Sequence, residues 1–102
     1  MRYKIRFTAS AQRDLLRLYD YIADRSGPVI ARGYVDRIHA YCYGFADMPK
    51  RGTLRDDLRP DLRVVGFERR VMIAFHTDGD LVVFDRILYG GRSLDRLSDD
   101  ED

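Results

Sequence analysis

The first apolar residues of the chain alternate with charge. In Arg2-Tyr3-Lys4-Ile5-Arg6-Phe7, the side chains of Tyr3, Ile5 and Phe7 fall on one side of an extended backbone. Arg2, Lys4 and Arg6 fall on the other, which is the period-two pattern of a half-buried strand. Outward charge suits an edge position, where it opposes pairing with another chain. The period then changes. Ala11, Leu15, Leu18 and Ile22 recur at steps of four, three and four, and Tyr19 and Tyr21 widen the stripe. That is one apolar face of a helix, with Thr8 or Ser10 as its cap. Gly27-Pro28 ends it, because glycine suits the left-handed position and proline cannot continue the ladder. A second helix is predicted from about Val29 to Asp47, with Ile30, Tyr34, Ile38, Tyr41, Cys42 and Phe45 turned inward. The short link Ser26-Gly27-Pro28 forces the two helices antiparallel.

Residues 48–61 read as a polar loop, broken by Pro49, Gly52 and Pro60 and made basic by Lys50, Arg51, Arg55 and Arg59. Three strands follow: Leu62–Phe67, Val71–Thr77 and Leu81–Tyr89. The break Asp78-Gly79-Asp80 is a strong hairpin signal. Val71, Ile73 and Phe75 share one face, and Met72, Ala74 and His76 the other. Val82, Phe84 and Leu88 alternate with Leu81, Val83, Ile87 and Tyr89. Strands apolar on both sides are central or partner-covered. Two helices cover one face, so the other face is expected to be wet or covered by another chain. Arg86 and Asp85 interrupt the two faces as buried or partner-facing charges. Gly90-Gly91 is a turn, Leu94 and Leu97 are placed to dock a short final helix, and the end is acidic.

The expected fold is therefore α+β, a small single domain of order β-α-α-β-β-β. Its sheet is rich in antiparallel pairs and carries a helical hairpin on one face. Residues 1–97 form the domain and 98–102 an acidic, disordered tail.

Composition refines this picture at three points. A chain of 102 residues is one domain. It has no run of about 18 apolar residues and no apolar signal-peptide region at Met1–Phe7, so residence in the cytoplasm, away from membranes, is the default. The lone Cys42 allows no internal disulfide, and no Cys/His cluster suggests a metal or a cofactor. His39 reads as a partly exposed helix residue. The formal charge of +1 conceals an asymmetry: residues 95–102 carry five acids and one arginine, leaving 17 basic against 12 acidic groups before them. Sixteen of the 18 basic residues are arginine, whose planar fork suits anionic partners. A GC-rich coding sequence explains the same bias, and the two readings stand side by side. The arginines of the sheet face and rim, Arg63, Arg69, Arg70, Arg86 and Arg92, are the candidate contacts to a target or anion.

The ordered set of segments resembles the RelE/ParE toxin superfamily of bacterial type II toxin–antitoxin modules. The resemblance rests on Ile5-Arg6-Phe7-Thr8-Ala9-Ser10-Ala11 leading into a helix with Asp14-Leu15, on the helical hairpin, and on Met48-Pro49…Gly52. It continues through Leu62-Arg63, Val71-Met72-Ile73-Ala74-Phe75 and Val83-Phe84-Asp85-Arg86-Ile87-Leu88-Tyr89-Gly90-Gly91-Arg92. The ParE branch is the closer match. It implies a cytoplasmic toxin that stabilises the cleaved-DNA state of DNA gyrase, without catalytic residues of its own. A ParD-like antitoxin would neutralise it, so nucleic acid would be met only through antitoxin or gyrase. The RelE branch implies instead a metal-independent, ribosome-dependent mRNA endonuclease. RNA cleavage of that kind needs a proton acceptor, a proton donor and cations at the phosphate. Arg63 and Arg92 match two of that branch's arginines, and Tyr89 and His76 are the only nearby proton-transfer groups. After Arg92 the chain has no Tyr, His or Lys, and a guanidinium is a poor proton shuttle. The antitoxin implied by the family would lie on exposed apolar residues, with Tyr19, Tyr21, Tyr34, Tyr43 and Met72 as candidates.

Overall fold

A computed structural model describes residues 2–90. The elements are β1 (Lys4–Phe7), α1 (Ala9–Ser26), α2 (Pro28–Tyr43), a 3-10 turn (Gly44–Ala46), β2 (Thr53–Leu54), β3 (Arg63–Phe67), β4 (Val71–Asp78) and β5 (Leu81–Tyr89). The helices pack on one face of a single sheet of order β1-β5-β4-β3-β2. Pairs β2–β3, β3–β4 and β4–β5 are antiparallel, while β1 runs parallel to β5. The long connection that a parallel pair requires is supplied by the helical hairpin together with the loop and strands β2–β4, which all lie between β1 and β5 in the chain. The α+β class and the helical hairpin agree with the sequence reading, but the order gains a strand, β2, inside the stretch expected to be a polar loop, where it pairs with β3. The boundary at residue 97, the acidic tail and Arg92 fall outside the described residues.

Thr8 joins three elements at one point. Its side chain accepts the amide of Ala11 at 3.0 Å and so caps α1. Its hydroxyl donates to the carbonyl of Asp85 at 2.9 Å, and its backbone N–H donates to Phe84 at 3.0 Å. The start of α1 is thereby fixed to the middle of β5. Gly27, at φ +93, closes α1 through a bond from its N–H to the Ala23 carbonyl, and α2 begins at once with Pro28. The core between helices and sheet centres on Phe45, Phe75 and Phe84, whose ring centroids lie 4.9–5.5 Å apart.

Four further details depart from the sequence reading. Helix α2 ends at Tyr43 rather than Asp47, because the chain tightens into the 3-10 turn that buries Phe45 and Ala46. Ile30 is 58% exposed, and Ala31 takes the inward place; the stripe runs through Ala31, Ile38 and Cys42, one residue round from the expected start. The register shifts between Ala74/Phe75 on β4 and Arg86/Phe84 on β5, which leaves Asp85 as the extra residue of a bulge. Ile87 therefore joins Val82 and Phe84 in the helix-side core, and Leu88 turns to the other face. Finally, that other face is partly covered by the chain itself. Leu58, from the polar loop, packs over Leu62, Val64, Ala74 and Leu88.

Candidate functional site

The bulge at Asp85 concentrates charge on the loop-covered face of the sheet. The Asp85 side chain is buried, lies 2.6 Å from Nδ1 of His76, and pairs with Arg59 at 3.4 Å. One carboxylate thus ties the loop to β4 and β5. Around the edge of β5, Asp14 of α1 accepts two bonds from Arg86, at 2.8 and 3.0 Å, and a third from the Ile87 amide at 2.9 Å. Strand β1 stops pairing at Phe84, so this amide would otherwise be an unpaired edge donor. Arg86, expected among the target contacts, is thereby turned into the fold, with its side chain 13% exposed. Two of the loop arginines are engaged more locally, at the surface. Arg55 forks onto Asp57, and Arg51 lies over the ring of Phe45 at 4.6 Å while bonding the Gly44 carbonyl.

The remaining arginines separate. Arg63 opens β3, half-buried opposite Phe75. Arg69 and Arg70 are exposed in the β3–β4 turn, at the far end of that strand. The proton-transfer candidates separate as well. His76 shares the loop-covered face with Ala74, whereas Tyr89 packs on the helix-side core. Tyr89 lies opposite Val71, five residues along β4 from His76, which is about 17 Å at the rise of a strand. Arg63, Tyr89 and His76 do not meet at one point. Among the described residues, no group of three His, Cys, Asp or Glu is placed to hold a metal ion. Burial pushes the Cys42 thiol up to about 12, so it stays protonated and unreactive.

The five apolar partner-contact candidates occupy different surfaces. Tyr21 and Tyr89, 5.2 Å apart, line a cleft of about 330 Å³ between α1 and the free edge of β5, together with Asp14, Arg17, Ile87 and Gly90. Tyr34 stands edge-on to Tyr89 and Phe67, and burial, then Glu68, raises its hydroxyl pKa. Tyr19 lines a groove of about 310 Å³ between the helices, with Leu16, Val35 and His39. Tyr43 sits over the N-terminal strand beside Tyr3 and Ile5. Met72 lies on the opposite sheet face, 36% exposed. Residues outside the expected set are more exposed still: Leu16 at 67%, Val29 at 85% and Met48 at 61%. Leu16 had a legible signal, since it lies off the stripe 11-15-18-22. The pairing of Arg37 with Glu68 had none, being 31 residues apart in sequence.

Residues 5–94 match the model of a family described as the ParE toxin of the parDE type II toxin–antitoxin system. Toxin ParE3 of Caulobacter vibrioides is 29% identical over 87 residues, spanning 85% of this chain and 86% of that protein. Among solved structures, the chromosomal ParDE system of P. aeruginosa superposes with a TM-score of 0.76 at 23% identity, covering 87% of this chain and 97% of the other. A chain of the RelBE2 toxin–antitoxin complex of Mycobacterium tuberculosis gives 0.62 at 17% identity, covering 88% of this chain and all of the other. At these identities the two structures speak for the fold.

Proposed function

This chain belongs to the ParE toxin family of type II toxin–antitoxin systems, and from that membership we propose that it arrests growth by inhibiting DNA gyrase. In this reading it works in the cytoplasm, stabilises the cleaved-DNA state of the enzyme by surface contact, and is silenced by a ParD-like antitoxin. No helix among the described residues is long and apolar enough to cross a membrane. The observation that carries the reading, beyond membership, is the scatter of the nuclease candidates. A general base and a general acid must both reach the scissile phosphate, and His76 and Tyr89 lie on opposite faces of the sheet. The antitoxin is expected over the helical hairpin, where Leu16, Tyr19 and Val35 form a groove open to a partner helix or strand. Of the contact candidates, Arg69 and Arg70 are exposed enough to serve, and Arg63 is half-exposed.

A second reading keeps mRNA cleavage, and one observation favours it. His76 bonded through Nδ1 to a buried carboxylate is the arrangement that orients an imidazole as a base, and Arg59 lies on the same carboxylate. The two readings separate in cells. Induced expression without antitoxin should produce chromosomal breaks while mRNA 5′ ends stay unchanged. New mRNA ends at fixed codon positions, lost in His76→Ala, with the chromosome intact would replace the gyrase reading by the nuclease one.

A further inference from the structure

The turn between β3 and β4 is built against its own backbone preference. Glu68 and Arg69 have φ of +48 and +65. Residues with bulky side chains enter that region only where their surroundings hold them. The surroundings here are specific. Arg37 of α2 grips Glu68 with two bonds, Nε to Oε2 at 2.9 Å and Nη2 to Oε1 at 3.1 Å. The same guanidinium lies 5.0 Å over the ring of Tyr34, which is wedged against Phe67 and Tyr89. On the other side of the turn, the Gly90 amide donates to the Arg70 carbonyl at 3.1 Å. Glycine or asparagine would adopt this turn with less help. The chain places two neighbouring arginines there instead, both exposed, and neither guanidinium has a hydrogen-bond or ion-pair partner among the described residues.

We propose that this turn is a phosphate-binding tip, which holds a nucleic-acid backbone through Arg69 and Arg70. Three observations select that partner. Both groups are arginines, whose forks fit phosphate oxygens. The one acid in the turn is occupied by Arg37 and does not neutralise them. Val71 is buried and Phe67 partly buried against the core, and the turn Glu68-Arg69-Arg70 itself carries no aromatic or aliphatic anchor of the kind around which protein interfaces are organised. The clamp from α2 fixes the tip before binding and so removes part of the ordering cost. The inference goes beyond gyrase inhibition and stands without it, because DNA alone is the probe.

The test uses the full chain, a short fluorescent duplex and anisotropy across a salt series. The wild type should bind at low salt with a log–log salt slope of about −2, one phosphate for each arginine, and Arg69→Ala or Arg70→Ala should each remove about one unit of that slope. Arg32→Ala, an equal loss of charge on the exposed pair with Asp36, should leave the slope unchanged. Glu68→Ala removes a negative charge beside the tip, so charge alone would tighten binding; a clamped tip should instead weaken about threefold, with thermal melting confirming that the variant is folded. Tighter binding by Glu68→Ala overturns the clamp. A slope untouched by both tip variants, or equal losses in all three arginine variants, overturns the tip. Binding of a polyglutamate peptide without DNA binding overturns the choice of nucleic acid.

Discussion

Asp14 is almost inaccessible, yet its carboxylate receives three hydrogen bonds, two from Arg86 and one from the amide of Ile87. A buried charge is tolerable only when paired in this way, and removing one partner strands the other. Asp14→Ala leaves a mostly buried guanidinium and an edge N–H unpaired. It should lower unfolding free energy by about 3–5 kcal/mol in urea titrations. The double variant Asp14→Leu, Arg86→Met should lose less than the single, because no charge then remains buried. An Asp14→Ala variant as stable as the wild type would remove this pair from the account of the fold. The same reasoning explains why Arg86 was ambiguous in sequence. An arginine in an apolar run signals either a partner-facing charge or an internal one, and the residue that decides lies 72 positions away on α1.

At the scale of elements, local pattern carried the helices and the long strands, because each has a period and a terminator written in adjacent residues. It did not carry β2. Two exposed residues, Thr53 and Leu54, have no period; they form a strand only because Val64 and Arg63 pair with them. Gly52 sets that approach. It holds φ +78, and a Cβ there would collide with the Val64 carbonyl and the Val65 side chain. Gly52→Ala should therefore destabilise by about 2–3 kcal/mol through crowding and backbone strain, read as a lower thermal midpoint, while Gly79→Ala, with open space around it, should lose less. Equal losses at the two glycines would contradict the close approach. The bulge was hidden for a related reason. Strict alternation assigns Leu88 to the face of Val82 and Phe84; a single unpaired residue at Asp85 exchanges Leu88 and Ile87. Nothing in the run Phe84-Asp85-Arg86 marks which residue will be extra. The candidate site fared worse than the fold. Exposure of Arg69 and Arg70 follows from a turn, but the commitment of Arg59 to Asp85 and of Arg86 to Asp14 depends on long-range geometry.

At the scale of the molecule, the arginines among the described residues divide into two populations. One part stitches the loop, α1 and the sheet together. The other part, with Arg69 and Arg70 foremost, faces outward, as do the apolar side chains of Leu16, Val29 and Met48. Two tasks are proposed for that outer surface: a hairpin side that the antitoxin covers, in keeping with membership of the ParE toxin family, and a basic turn that holds nucleic-acid phosphate. The proposed target is DNA gyrase, and the proposed mode of action is surface contact. The most direct measurement mixes purified chain with gyrase, ATP and relaxed plasmid, and follows supercoiled and linear DNA. A contact inhibitor of gyrase should give a dose-dependent loss of supercoiling with linear plasmid accumulating, reversed by antitoxin. Undiminished supercoiling, from folded protein that still arrests growth, would contradict the gyrase reading.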